Sequence, residues 1–250
     1  MLVQTAQHAE LRERALSTTL FCIPHAGGSA TYYTQLSSLF PDSVFFQPLE
    51  LPGRGRRHRD ALLTSMTALC DDLFAQILPV AGDRPYALFG HSMGALLAFL
   101  CAVRARERGI PLPRQLFLSA AVAPGDHART PAYTFPLQQE ALWRHIVDLG
   151  GVPQCLADSE EFRRYLAPVL HADFTALGLW SPQLPASPLP VPITVLLGNE
   201  DGITDEMAQR WKKLTNQRFA IRSFHGNHFY LQNNWAEVAA HITRVLAVDW

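Results

Sequence analysis

The sequence predicts an α/β fold in which helices cover both faces of a mainly parallel sheet. Short apolar runs, at 20–23, 86–89 and 193–197, alternate along the chain with longer segments whose apolar residues recur at helical spacing. Each of the three runs is followed at once by a proline or a glycine, as buried strands often are. Strands that are separated by helices rather than by hairpin turns pair in parallel, which is the basis of this prediction.

The remaining elements follow from the same patterns. The predicted strands are 20–23, 44–51, 86–89, 115–122, 193–197 and 219–224, and the predicted helices outside the 125–190 region are 31–40, 64–78, 95–108 and 234–246. The helix at 64–78 is expected to end before Pro79, and a further helix near Glu206 is expected to have Asp205 as its N-cap.

The composition is typical of one globular domain spanning 1–250. Aliphatic and aromatic residues make up 48% of the chain and charged residues 17%, which argues against disorder. The formal net charge of −1 argues against broad contact with nucleic acid or an anionic membrane. Residues 1–18 lack the apolar core of a secretion signal, and no apolar stretch is long enough to span a membrane. We therefore expect a cytoplasmic protein.

The cysteines and histidines do not follow the spacing of metal ligands. Cys22, Cys70, Cys101 and Cys155 lie far apart, and we interpret them as reduced thiols. The ten histidines include neither an H-x-x-x-H nor an H-E-x-x-H pattern, and no phosphate-cradling or dinucleotide motif is present. The sequence thus predicts no metal and no cofactor of the protein's own.

A serine lies between two glycines where a strand pattern gives way to a helix pattern. The stretch 90–94 reads Gly-His-Ser-Met-Gly, with Ser92 at its centre. A G-x-S-x-G sequence in that context is typical of a nucleophile elbow, in which a sharp turn exposes the serine hydroxyl above the sheet. An ordinary helix N-cap would also explain the serine, but the strand before it and the helix after it favour a nucleophile. His91 is interpreted as a structural neighbour.

The first strand leads into a loop with two adjacent glycines, Gly27 and Gly28. In elbow enzymes the corresponding loop supplies one backbone N–H of the oxyanion hole, and the residue after the nucleophile supplies the other. We therefore predict the amides of Ala26 and Met93 as the oxyanion donors. His25 is interpreted as a loop residue.

A histidine follows the last predicted strand and is the candidate base. A serine hydroxyl is a poor nucleophile until an imidazole accepts its proton, and His228 fits that role. His225, three residues earlier, is the alternative.

An acid that orients the imidazole is expected after the strand at 193–197. Asp201 is the preferred residue, with Glu200 and Asp126 left open as alternatives. The chain order of serine, acid and histidine, each just after a strand, is that of an α/β-hydrolase fold.

The alternation of strands and helices stops between 125 and 190. Helices are predicted at 137–149 and 160–179, with no strand between them. A long insertion without strands is usually functional, and we interpret it as a helical lid over the active site. Its residues His171 and Asp173 are expected to be surface or packing residues.

An arginine-rich loop follows the second strand. Arg54, Arg56 and Arg57 lie within it, and such a run is often simply a solvated loop. The alternative is a patch at the mouth of the site that attracts a phosphate-bearing substrate or an acidic partner, because guanidinium groups suit phosphate.

Taken together, these motifs resemble those of type II thioesterases, the free-standing editing hydrolases of nonribosomal peptide and polyketide synthases. The resemblance runs from 20 to 246. Its motifs are 24–30 (PHAGGSA), 51–55 (LPGRG), 90–94 (GHSMG), 149–153 (LGGVP), 170–174 (LHADF) and 226–230 (GNHFY).

The resemblance implies hydrolysis of stalled acyl groups from the phosphopantetheine arm of acyl or peptidyl carrier proteins. The phosphopantetheine then belongs to the substrate, the carrier domain is the partner, and we expect a monomer. A fatty-acyl-carrier thioesterase and a small-ester carboxylesterase on the same fold are the alternatives.

Overall fold

The computed structural model describes residues 17–125 and 139–248, and six parallel strands form one sheet within them. The strand order across the sheet is β2-β1-β3-β4-β5-β6, and every neighbouring pair is parallel. The strands are β1 (Thr18–Ile23), β2 (Val44–Pro48), β3 (Tyr86–His91), β4 (Leu116–Ser119), β5 (Ile193–Gly198) and β6 (Phe219–Phe224). The predicted mainly parallel sheet is confirmed.

Helices connect the strands. The α-helices of the described residues are α1 (Thr34–Ser37), α2 (Met66–Ala81), α3 (Met93–Glu107), α4 (Gln139–Asp148), α5 (Gln154–Ala157), α6 (Glu160–Gly178), α7 (Asp205–Gln209) and α8 (Leu231–Leu246). Short 3-10 helices lie at Ala30–Tyr33, Gly55–Arg57 and Arg210–Leu214. None of the helices in the described ranges is long and apolar enough to cross a membrane.

Each central strand contributes side chains to two cores, one on either face of the sheet. In β3, Leu88 belongs to the core under α2 and α3, whereas its neighbour Phe89 belongs to the core under α1 and α8. This alternation follows from the two-residue period of a strand. The edge strand β2 differs, since Phe45 is 53% exposed. The helices therefore cover both faces, as the sequence pattern predicts.

Several predicted boundaries are wrong, and three of them have a clear local reason. Helix α2 continues through Pro79 to Ala81, because a proline in the last turn removes only one helical hydrogen bond. Thr204, not Asp205, caps α7, since its hydroxyl accepts from the Met207 amide at 3.3 Å. The strand predicted at 115–122 ends at Ser119, where the positive φ of Ala120 (49°) turns the chain away.

The long connection between β4 and β5 carries α4, α5 and α6 in its described part. Helices α4 and α6 agree closely with the helices predicted at 137–149 and 160–179. We call the described part of this connection, 139–178, the helical insertion. Its interpretation as a lid stays a prediction.

The accessibility of the thiols provides a test of the core. Cys22, Cys70 and Cys101 are buried, Cys155 is exposed, and none forms a disulfide. Burial also raises the pKa of the Cys22 thiol well above its ordinary value, which reduces its reactivity further.

We expect one thiol per chain to react with a disulfide reagent such as DTNB in the native protein, and four in guanidinium chloride. The Cys155→Ser variant should show none in the native state. A second fast-reacting thiol in the native protein would contradict the burial of Cys22, Cys70 and Cys101, and fewer than four after unfolding would reveal a disulfide.

Candidate active site

Ser92 lies in a strained turn between β3 and α3. Its backbone has φ 55° and ψ −117°, a conformation that residues other than glycine rarely adopt. Two hydrogen bonds hold the turn: the Ser92 amide donates to the Ser119 carbonyl of β4 at 2.8 Å, and the Ala95 amide donates to the Ser92 carbonyl at 2.9 Å. The surrounding sheet and helix therefore maintain the strain. This is the geometry that the G-x-S-x-G pattern predicts.

The two glycines of the turn are required by close packing. A Cβ atom on Gly90 would lie 2.0 Å from the Gly94 carbonyl oxygen, and one on Gly94 would lie 2.2 Å from the Ile23 carbonyl oxygen. Neither glycine has a positive φ. Hence the first turn of α3 is pressed against the ends of β3 and β1, with no room for a side chain between them.

This packing brings the start of α3 next to the loop that leaves β1. The loop begins with a turn in which the Gly28 amide donates to the His25 carbonyl at 2.9 Å, and Gly27 has φ 79°, the value of the third residue of a type II turn. Met93 is the first residue of α3, so its amide belongs to the N–H groups that a helix leaves without an intrahelical acceptor. The assignment of Ala26 and Met93 as oxyanion donors stays a prediction.

His228 and Asp201 form a buried hydrogen-bonded pair. The His228 Nδ1 atom lies 2.9 Å from Asp201 Oδ2, and the two side chains are 9% and 5% exposed. A carboxylate can only accept, so Nδ1 carries the proton and Nε2 of a neutral ring is left as an acceptor. The ring can therefore receive a proton at Nε2 while the carboxylate stabilises the resulting charge at Nδ1.

The loops that carry this pair are joined directly to each other. The Glu200 amide donates to the Gly226 carbonyl at 2.9 Å, and the Gly226 amide donates to the Asn199 side chain at 3.0 Å. A Cβ on Gly198 would lie 2.2 Å from the Asn227 carbonyl oxygen. The ends of β5 and β6 are thus packed so closely that the Asp201 and His228 side chains meet.

The alternative acid and base pair with each other instead. Glu200 Oε1 lies 3.5 Å from His225 Nδ1, and both side chains are largely exposed. The third candidate acid, Asp126, lies outside the described residues. Asp201 is therefore the carboxylate that the structure places on His228.

Two further histidines, His91 and His25, are buried beside His228, although no pattern in the sequence groups the three. The rings of His91 and His228 lie 5.4 Å apart, and those of His91 and His25 lie 6.0 Å apart. His91 Nδ1 lies 2.8 Å from Ser119 Oγ, which lies 2.7 Å from the Tyr230 hydroxyl. Burial lowers the pKa of His91 well below its ordinary value, with a smaller effect from the neighbouring His228. His91 is thus held as a neutral ring, in line with its predicted structural role.

His25 is also neutral, and it orients the turn that follows it. Its Nδ1 donates to the Ala26 carbonyl at 2.9 Å, and its ring packs edge-to-face on Tyr32 and Phe229. Burial lowers the pKa of His25 to about 4 despite the hydrogen bond to Ala26.

The structure contradicts the predicted mouth-side patch at Arg54, one of the three arginines of this loop. Arg54 is buried, and its Nη1 and Nη2 atoms donate to the two carboxylate oxygens of Asp173 at 2.5 and 2.8 Å. Arg57 is half-buried and pairs with Asp72 and Asp60. The predicted role in substrate or carrier binding is therefore wrong for Arg54, because its charge is already neutralised inside the protein. Of the three arginines, Arg56 is the exposed one.

Asp173 belongs to the 170–174 motif, but its sequence neighbours indicate neither its hydrogen-bond partners nor its role at the site. It lies in α6, it is fully buried, and its Oδ2 also accepts from the Gly27 amide at 2.7 Å. Glu50 has a similar role on the other side of the loop, where its carboxylate accepts from the Ala30 and Arg56 amides at 3.0 and 3.3 Å. An Arg-Asp pairing over such a long separation leaves no local pattern in the chain.

The helical insertion contacts the loops on both sides of Ser92. Leu170 of α6 packs so closely on Gly27 that a Cβ there would lie 2.5 Å from it. After α4, a Cβ on Gly151 would lie 3.0 Å from the Phe229 ring, next to His228. These contacts are compatible with a lid. Among the described residues, no group of His, Cys, Asp and Glu side chains has the arrangement of a metal site.

Comparison with known proteins gives concordant results. The family model described as "Thioesterase domain" matches residues 18–246. The human "S-acyl fatty acid synthase thioesterase, medium chain" is 32% identical, over 85% of this chain and 80% of its own length. The solved structure of RedJ, a thioesterase from the prodiginine pathway of Streptomyces coelicolor, has a TM-score of 0.83 at 35% identity and covers 93% of this chain and 87% of its own. That of BorB, the type II thioesterase of the borrelidin cluster, has a TM-score of 0.81 at 31% identity and covers 92% and 93%.

The low pKa of His25 predicts a specific dependence of stability on pH. In the unfolded chain His25 takes up a proton near pH 6.5, but in the folded protein it does so only near pH 4. Since the unfolded state then binds more protons, this residue lowers the free energy of unfolding as the pH falls below 6.5. The effect between pH 7 and pH 5 is about 2 kcal/mol.

We therefore expect urea unfolding of the His25→Asn variant to depend less steeply on pH than that of the wild type over this range. Asparagine can still donate to the Ala26 carbonyl but does not titrate. Equal slopes for the two proteins would show that His25 takes up its proton in the folded protein as readily as in the unfolded chain, which would contradict this prediction.

Proposed function

This chain belongs to the thioesterase family, and on that premise we propose that it removes stalled or aberrant acyl groups from the phosphopantetheine arm of carrier proteins in nonribosomal peptide or polyketide synthesis. The observation that carries the proposal is the buried pair of Asp201 and His228 at the same sheet edge as the strained turn of Ser92. The similarity to RedJ, a thioesterase of the prodiginine biosynthetic pathway, and to BorB, a type II thioesterase of the borrelidin biosynthetic cluster, supports the substrate class.

In the proposed reaction Ser92 Oγ attacks the thioester carbonyl while His228 Nε2 accepts its proton. Asp201 holds the ring and stabilises the imidazolium that forms. The negative charge on the substrate oxygen is stabilised by the amides of Ala26 and Met93. His228 then donates its proton to the departing phosphopantetheine thiolate, and a water molecule, activated by the same ring, hydrolyses the acyl-serine.

The proposed reaction requires no metal and no cofactor of the enzyme, because the phosphopantetheine belongs to the substrate. The proposed partner is the carrier domain of a synthase. We further propose that the chain works as a monomer in the cytoplasm.

A fatty-acyl-carrier thioesterase is the nearer alternative, given the similarity to the human medium-chain enzyme. It is less well supported, because RedJ and BorB match a larger share of the chain, at comparable identity. An assay with acyl groups of different lengths separates the two functions.

The first test is deacylation of a phosphopantetheinylated carrier protein followed by intact-protein mass spectrometry. We expect the wild type to remove short acyl groups such as acetyl, and Ser92→Ala to leave them in place. Acetyl and decanoyl carriers should be compared with small esters in the same experiment. Cleavage of small esters while both acyl-carriers persist would refute the editing function.

The second test concerns the acid. We expect Asp201→Asn to lower kcat about 10³- to 10⁴-fold while the thermal unfolding midpoint changes little, since an amide favours the wrong tautomer of His228. Glu200→Gln is the matched control, because Glu200 faces the exposed His225, and it should stay within twofold of the wild type. Near-normal activity of Asp201→Asn would remove Asp201 from the mechanism.

A further inference from the structure

In the turn that carries Ala26, the peptide group between Ala26 and Gly27 is hydrogen-bonded through both its oxygen and its nitrogen. The carbonyl of the Ala26–Gly27 peptide accepts from His25 Nδ1 at 2.9 Å, and its N–H, on Gly27, donates to Asp173 Oδ2 at 2.7 Å. A peptide fixed at its oxygen and at its nitrogen cannot rotate without breaking a buried hydrogen bond.

The Ala26 amide belongs to the preceding His25–Ala26 peptide, whose carbonyl accepts from the Gly28 amide at 2.9 Å, so its direction depends on how the whole turn is held. Type I and type II turns differ mainly by rotation of the central peptide, and the φ of 79° at Gly27 belongs to type II. In a type II turn the second central residue needs a positive φ, which glycine provides at no steric cost. The two hydrogen bonds thus select one of two turn conformations that the sequence allows.

The acceptor for Gly27 comes from the helical insertion. Asp173 lies in α6, 146 residues away along the chain, and its carboxylate is fully buried. Three donors surround it: the Gly27 amide and the two terminal nitrogens of Arg54, whose charge balances that of the carboxylate. Leu170, one turn earlier in α6, packs on the same glycine.

We infer that Asp173 is a positioning residue of the oxyanion hole: by holding the Gly27 N–H from α6, it anchors the type II turn at 25–28 and so keeps the His25–Ala26 peptide, which carries the Ala26 N–H, in place to face the reacting carbonyl. This inference rests on the proposed serine mechanism. It also gives the helical insertion a role in the chemical step itself, because the oxyanion turn is complete only while α6 is docked on it.

The test compares two double variants that both lack the Arg54–Asp173 ion pair. R54M/D173N retains an oxygen that can accept from the Gly27 amide, whereas R54M/D173L has nearly the same shape and no acceptor. We expect the Asn form to stay within about fivefold of the wild-type kcat. The Leu form should lose a further 10- to 100-fold in kcat with KM changed less than about threefold, as a displaced oxyanion donor requires.

A second measurement is the affinity of a boronic acid that forms a tetrahedral adduct with Ser92. A purely structural role of Asp173 would not change this affinity. The affinity should fall in the Leu form by the same factor as kcat/KM and change little in the Asn form. Thermal unfolding of both variants shows whether their stabilities are matched.

The same peptide can be tested from its other end if R54M/D173L does not fold. His25→Leu removes the donor to the Ala26 carbonyl and His25→Asn retains one, so the Leu variant should show the same selective loss of kcat. Equal kcat and equal boronate affinity within either matched pair would overturn the inference. The proposed function has a separate test, because Ser92→Ala abolishes turnover whether or not Asp173 positions the turn.

Discussion

The contact between the first turn of α3 and the ends of β1 and β3 is the constraint on which the candidate site depends. Gly90 and Gly94 permit an approach that any side chain would block. The strained backbone of Ser92 is a consequence of that approach, since the chain must reverse from strand to helix within one residue. The cost is offset by α3, whose residues from Met93 to Leu97 are all buried. The burial of a helix thus maintains the conformation of one serine.

The buried Arg54–Asp173 pair fixes the local conformation more than it stabilises the folded state. Removing two charges from water costs several kcal/mol per ion, and a well-made ion pair recovers little more than that cost. An apolar pair of similar volume would pack in the same space. It would not, however, accept a hydrogen bond from Gly27, which Asp173 does at 2.7 Å. The polar pair therefore provides specificity of conformation at a point next to the candidate oxyanion hole.

The sequence predicted the features that have local signals and missed those that arise from distant contacts. The parallel sheet, the turn at Ser92 and the helical insertion follow from hydrophobic periodicity and from glycine spacing. The resemblance to type II thioesterases is confirmed by the family match and by the solved structures. Asp201 and His228 were recognised because each follows a strand, and the structure joins them by a hydrogen bond.

By contrast, Arg54 and Asp173 are 119 residues apart, and nothing near either one indicates its partner. An arginine-rich loop suggests solvent or a phosphate, so Arg54 was assigned to the surface although it is buried. The same limitation applies to Ser119 and Tyr230, which meet across 111 residues.

The burial of this ion pair also determines how α6 can leave the site. Arg54 belongs to the loop after β2, whereas Asp173 belongs to α6, so the two charges separate when the helix moves away. A small displacement would leave both charges apart but still out of water, which costs about 3–5 kcal/mol. A large displacement lets water solvate both. Intermediate positions would therefore be higher in free energy than either end, so any separation of α6 from the loop would be a two-state step rather than a gradual drift.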